Sequence, residues 1–169
     1  MATQTYSDAI ALLKADHRKV SELFEKFESA KAGQKESLAQ QICTELKIHT
    51  SIEEEIFYPA CNGKIEEDTL NEAYVEHDGA KVLINDILAG GPDDKFYDAK
   101  VHVLSEEIKH HVKEEEMRVE GMFAQAREAG VDVAGLLDQM LARKKELMAQ
   151  AKASGLPPAQ PTVVNVQAA

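Results

Sequence analysis

Apolar residues recur at three- and four-residue steps along most of this chain, and only a few glycine or proline clusters interrupt them. No segment alternates with the two-residue period of a strand, so the pattern predicts helices throughout. Five are read, at about 7–30, 36–58, 67–89, 95–127 and 132–152. Their inward stripes are Leu13, Val20, Phe24 and Phe27; Leu38, Ile42, Leu46 and Ile56; Leu70, Tyr74, Ile84 and Leu88; Leu104, Ile108, Val119 and Met122; and Leu136, Leu137, Met140, Leu141 and Leu147. Ser7 is the expected first N-cap. The joints are 31–35 around Gly33, Pro59 with Asn62-Gly63, the GGPDD stretch at 90–94, and Ala129-Gly130.

Short joints make consecutive helices antiparallel neighbours. The expected fold is therefore all-α: an up-down-up-down four-helix bundle with an additional C-terminal helix and an extended tail. Residues 1–153 form the bundle with its extra helix. Residues 154–169, rich in proline and free of charge, form a flexible tail.

The histidines sharpen this picture. On a helix, steps of three and four residues stay on one face. His17 continues the stripe of Leu13 and Val20. His49 and Glu53 fall between Leu46 and Ile56. His77 follows Tyr74, with Lys81 in the same stripe, its long stem buried and its charge sent outward. In the fourth helix His111 and Glu115 interrupt an otherwise apolar series, whereas the series through His110 and Glu114 is mostly charged; His102 faces outward. Within the EEE runs at 53–55 and 114–116, only Glu53 and Glu115 point inward, and the rest read as solvated acidic face. The second and fourth helices also share a Glu-xxx-His-xxx-Glu outline, Glu45 to Glu53 and Glu107 to Glu115.

Four imidazoles and two carboxylates, brought from four helices to one level, are costly to bury without counter-charge. Two metal cations remove that cost. Each glutamate can bridge both, and two histidines complete each protein-side shell. Mixed nitrogen and carboxylate donors suit iron, the metal preferred here, and also suit manganese or zinc; calcium would want more oxygens. A net charge of −11 argues against nucleic acid and anionic membrane surfaces as partners. No stretch approaches a membrane span, and the start of the chain is neither basic nor apolar enough for a signal peptide. Cys43 and Cys61 read as free buried thiols, which accords with a reducing, cytoplasmic setting.

The stretches DHRKVSELFEKFE, HTSIEEEIFYP, EAYVEHD and HHVKEEE together resemble the hemerythrin-like family, its HHE cation-binding branch, over residues 8–128. The resemblance implies a helical bundle around a carboxylate-bridged di-iron centre, oxo- or hydroxo-bridged when oxidised. His17 and His49 would ligate one iron, His77 and His111 the other, with Glu53 and Glu115 bridging. It also implies a small diatomic or peroxide ligand; the roles open are binding a small oxidant (dioxygen, peroxide, nitric oxide), decomposing peroxide, or sensing iron, oxygen or redox state. Two departures stand out. Lys81 occupies the position of a fifth histidine in the oxygen carriers, and the last bridge is Glu115 rather than aspartate. Tyr74, and Glu45 or Glu107, are candidates to replace the missing ligand or to support the ligating rings, and the sequence does not choose among them. The redox partner and the oligomeric state stay open at this stage.

Overall fold

The computed structural model describes residues 5–166, and those residues form helices joined by short connections. The four long bundle helices are α1 (Ala9–Ser29), α2 (Ala32–Ile52), α4 (Glu67–Gly90) and α5 (Tyr97–Glu116). Helix α2 runs without a break into a π-helical turn, Glu53–Phe57, and then into the short α3 (Tyr58–Cys61). Helix α6 (Met122–Glu128) follows α5, and α7 (Val133–Ser154) packs across α1, α2 and the π turn. The all-α bundle with an added C-terminal helix is thus the observed fold.

Two apolar clusters fill it. One contains Leu12, Leu13, Ile48, Ile52, Phe57 and Tyr58, and is closed by Met122, Phe123 and Met140 from α6 and α7. The other contains Val20, Phe24, Phe27, Ile42, Leu46, Ile84 and Leu104. Between them lies a buried layer of His17, His49, Glu53, His77, His111 and Glu115.

Several boundaries differ from the sequence reading. The first helix is capped by Asp8 rather than Ser7: its Oδ1 accepts the Ala11 N–H at 2.9 Å, and its other oxygen takes Arg127. Helix α2 begins at Ala32, so Gly33 lies inside it; the Gln34 side chain accepts the Lys31 N–H. The expected long fourth helix stops at Glu116. There the backbone folds back so tightly that a Cβ on Gly121 would sit 2.5 Å from the Met117 carbonyl oxygen and 2.8 Å from that of Glu115. The chain therefore leaves the helix, and Val119, expected inward, is 79% exposed. Leu88 is also exposed, at the outer edge of α4.

The segment after α7 is extended, and it lies along the bundle. Lys47 Nζ donates to the Leu156 carbonyl, Asn85 both donates to and accepts from the Ala159 backbone, and Asp78 accepts the N–H groups of Thr162, Val163 and Val164, each at 2.7 Å. The sequence reading assigns this stretch to a flexible tail; residues 156–164 are instead held at these points. Residues 1–4 and 167–169 of the two expected units fall outside the described residues.

Candidate metal centre

Each bundle helix delivers one imidazole to the buried layer. His17 comes from α1, His49 from α2, His77 from α4 and His111 from α5. The Nε2 atoms of His17 and His49 are 3.1 Å apart, and so are those of His77 and His111. Glu53 and Glu115 lie between the two pairs. One oxygen of Glu53 is 3.2 Å from Nε2 of both His49 and His77. Glu115 turns one oxygen to His17, at 3.3 Å, and the other to His111, at 3.4 Å. All six residues expected at the site are together. Their donor atoms form two overlapping groups, His17, His49, Glu53 and Glu115, and Glu53, His77 and His111, each within 4.8 Å.

The outer ring nitrogens explain how the rings are held. His17 Nδ1 meets Glu116 at 2.6 Å, His77 Nδ1 meets Glu54 at 2.9 Å, and His111 Nδ1 meets Glu76 at 2.5 Å. His49 Nδ1 faces Asp16 at a longer 3.6 Å. Each acid belongs to a different helical segment from the ring it serves. Asp16 on α1 serves α2, Glu54 in the π turn serves α4, Glu76 on α4 serves α5, and Glu116 on α5 serves α1. The arrangement closes on itself.

Sequence reasoning missed all four. It dismissed Glu54 and Glu116 as solvated face, because a helix-by-helix reading cannot see a residue reach for a neighbouring helix. A signal was present: an acid stands before His17 and before His77, and a second glutamate stands after Glu53 and after Glu115. The helpers expected instead are elsewhere. Glu45 pairs with Lys19 at the surface. Tyr74 packs edge-on against Tyr58, with ring centroids 5.1 Å apart. Glu107, its carboxyl raised by burial, is no part of the cluster.

Tyr58 was also missed, and the π turn is the reason. On an α-helix, residue 58 lies about 140° beyond a full turn from residue 53, off the inward face. Here the Tyr58 N–H bonds to the Glu53 carbonyl five residues back, which widens the turn and returns Tyr58 to the face of Glu53. Pro59 has no N–H to offer a regular helix at this point. The Tyr58 hydroxyl donates to Glu115 at 2.9 Å and lies 3.1 Å from His77 Nε2. Burial, then the charges of Glu115 and Glu53, pushes its phenol well above the ordinary range.

Lys81 does not send its charge outward. It is buried, and its ammonium donates to Glu54 and Asp78. Lys81 thus supports the acid that holds His77.

With Nδ1 donating to a carboxylate, a neutral imidazole presents a lone pair at Nε2. His17, His77 and His111 are held this way, and their Nε2 atoms, with that of His49, face two buried carboxylates; Glu53 Oε1, Glu115 Oε2 and His49 Nδ1 have no hydrogen-bond partner. That donor set fits cations. Without them, protons take their place. Burial, the largest influence, lowers His49, but Glu53 and Asp16 outweigh it and raise the ring to about 10. His17 and His111 are raised in the same way by Glu115 and their outer carboxylates. Glu53 and Glu115 are held below the usual carboxylate range: burial pushes each up, and the adjacent histidines overcome it.

A cavity of about 10 Å³ remains among the rings, walled by Val20, Leu46, Ile108 and Val112. A larger groove, about 770 Å³, opens where the chain leaves α5 and reaches His111 and Glu115.

A family model described as "Hemerythrin HHE cation binding domain" matches residues 8–123. The fold is similar to that of a crystal structure of a hemerythrin HHE cation binding domain-containing protein from Mycobacterium kansasii. The TM-score is 0.70 at 19% identity, covering 88% of this chain and 94% of that one. A DNA nickase from Nostoc sp. is 30% identical over 106 residues, which is 62% of this chain; the chain spans 30% of that relative's length.

Proposed function

Since the chain belongs to the hemerythrin HHE cation-binding family, we propose that it is a non-heme di-iron protein that binds dioxygen or a related small oxidant such as peroxide or nitric oxide. His17 and His49 would hold one iron and His77 and His111 the other, with Glu53 and Glu115 placed between the two pairs to serve both. The observation that carries this reading is the convergence of four Nε2 atoms on two buried carboxylates, each with one oxygen that makes no hydrogen bond. When bound, the iron pair supplies redox equivalents and open coordination positions for a small ligand.

The chain's own residues define the surroundings of that chemistry. Glu53 and Glu115 neutralise the cations. The acids bonded at Nδ1 fix the rings of His17, His77 and His111 and raise their basicity, and Asp16 faces His49 at 3.6 Å. Tyr58 holds a proton at its hydroxyl, donated to Glu115 and beside His77. The apolar walls exclude bulk water, and the groove that reaches His111 and Glu115 is the approach proposed for a small ligand. Among the described residues no helix is long and apolar enough to cross a membrane; with both cysteines free and buried, the proposed setting is the cytoplasm.

Elemental analysis and absorption spectra of the protein loaded with Fe(II) and exposed to air test this reading. Two irons per chain with near-ultraviolet ligand-to-metal bands are expected. Less than one iron per chain without such bands would overturn it.

A second reading, peroxide decomposition, is favoured by one feature: the Tyr58 proton lies on the half of the centre that the groove reaches. It predicts oxygen evolution from hydrogen peroxide with turnover, lost in His111→Ala.

A further inference from the structure

Three of the four acids at Nδ1 are held by the bundle and α7 alone. Glu54 is different. Its Oε1 accepts His77 Nδ1 at 2.9 Å and Lys81 Nζ at 2.8 Å, while its Oε2 accepts Lys81 Nζ at 2.9 Å and the Thr162 hydroxyl at 2.6 Å. Lys81 also donates to Thr162 Oγ1 at 3.0 Å, so the hydroxyl both gives and accepts. The residue that completes the hold on Glu54 thus comes from the segment after α7, beyond the stretch matched by the family model.

Thr162 is not there by loose contact. Asp78, fully buried, accepts three successive backbone N–H groups at 162, 163 and 164, which holds its carboxyl below the usual range. Such a carboxylate is a strong anchor for an extended strand of chain. Asn85 fixes the backbone three residues earlier through two bonds to Ala159. With the backbone held by these contacts, the Thr162 hydroxyl lies against Glu54 and Lys81.

We propose that Thr162 is a positioning residue for the second half of the metal centre, its hydroxyl fixing Glu54 and, through Glu54, the ring of His77. The C-terminal segment then sets how tightly one of the two cations is kept and leaves the other alone. The proposal rests on the di-iron reading.

The test follows iron release from the full, iron-loaded chain to an excess of chelator. Thr162→Val keeps the shape and removes the hydroxyl; Thr162→Ser keeps the hydroxyl. One of the two ions is expected to leave Thr162→Val about ten-fold faster, the scale on which outer partners of metal ligands act. The other ion leaves at the wild-type rate, and Thr162→Ser restores the slow phase. Glu54→Gln should accelerate the same phase, with Thr162→Val adding nothing to it. Release of both ions at wild-type rates, equal acceleration of both, or additive effects of the two substitutions would overturn the role of Thr162 while leaving the di-iron centre standing. A wild-type chain that takes up no iron would overturn both.

Discussion

The two halves of the metal centre have matched donors and unmatched surroundings. Each half has an Nε2 pair 3.1 Å apart, lies against Glu53 and Glu115, and has an outer acid at each Nδ1, bonded for His17, His77 and His111 and 3.6 Å away for His49. Around the His17–His49 half, Phe123 stacks on His17 at 5.9 Å, and Lys144 of α7 pairs with Asp16. Around the His77–His111 half, Tyr58 supplies a hydroxyl, the groove reaches His111, and Lys81 and Thr162 brace Glu54. Similar ligands thus do not imply similar work. Under the di-iron reading, the second half would be the one to meet a ligand and exchange a proton, because the Tyr58 hydroxyl and the groove lie on that side.

The comparison can be broken most severely at the residue the halves share. Glu53→Ala should drop iron from two per chain to below one by elemental analysis. If the ions are held at a thousand times their dissociation constant, about 4 kcal/mol of linked stability disappears. For a chain of this size that is a fall of about 10 °C in the melting midpoint of the iron-loaded protein.

Tyr58→Phe should separate the halves. Both irons stay, and the reaction with peroxide or dioxygen slows by about 100-fold in stopped-flow absorbance, the scale of a lost proton donor. An unchanged rate would remove the main distinction drawn between the two sides.

The outer acids sharpen it further. Glu76→Gln should weaken one iron about ten-fold by chelator titration, and Asp16→Asn should weaken the other. The loss at Asp16 is expected to be smaller, because its 3.6 Å approach to His49 is the longest of the four.

The smallest effect is on pH dependence. In the metal-free protein the folded His49 is raised to about 10. Its stabilising contribution is therefore complete below the ordinary histidine value and lost as pH rises toward 10. Glu53 and Glu115, held low, contribute above the ordinary carboxylate value and lose that contribution as pH falls through their folded values. Metal-free chain should lose melting midpoint between pH 7 and 10, and iron-loaded chain should not, because the cations have displaced those protons.

The inward faces were legible because helical period ties His17, His49, His77 and His111 to apolar stripes, and that tie survives burial. The choice of His111 over His110 rested on the same rule, and His110 is indeed on the outside, beside Glu76 and Glu114. What the period could not carry was a change of period. Tyr58 returns to the site only through a π turn, and the fourth helix ends early because a close backbone approach at Gly121 is invisible to stripe counting. Relations between helices were the other loss. Glu54 and Glu116 look solvated on their own helices and become partners of His77 and His17 once those helices are side by side.

That cyclic hand-off, in which each segment braces the ring of the next, has a consequence for assembly. An excised α1–α2 hairpin would retain two imidazoles yet lack Glu116, the acid that steadies His17, and an α4–α5 hairpin would lack Glu54, the acid that steadies His77. Neither fragment is a half-sized version of the whole, so metal capture must be cooperative with closing the bundle, and truncation should abolish it rather than halve it.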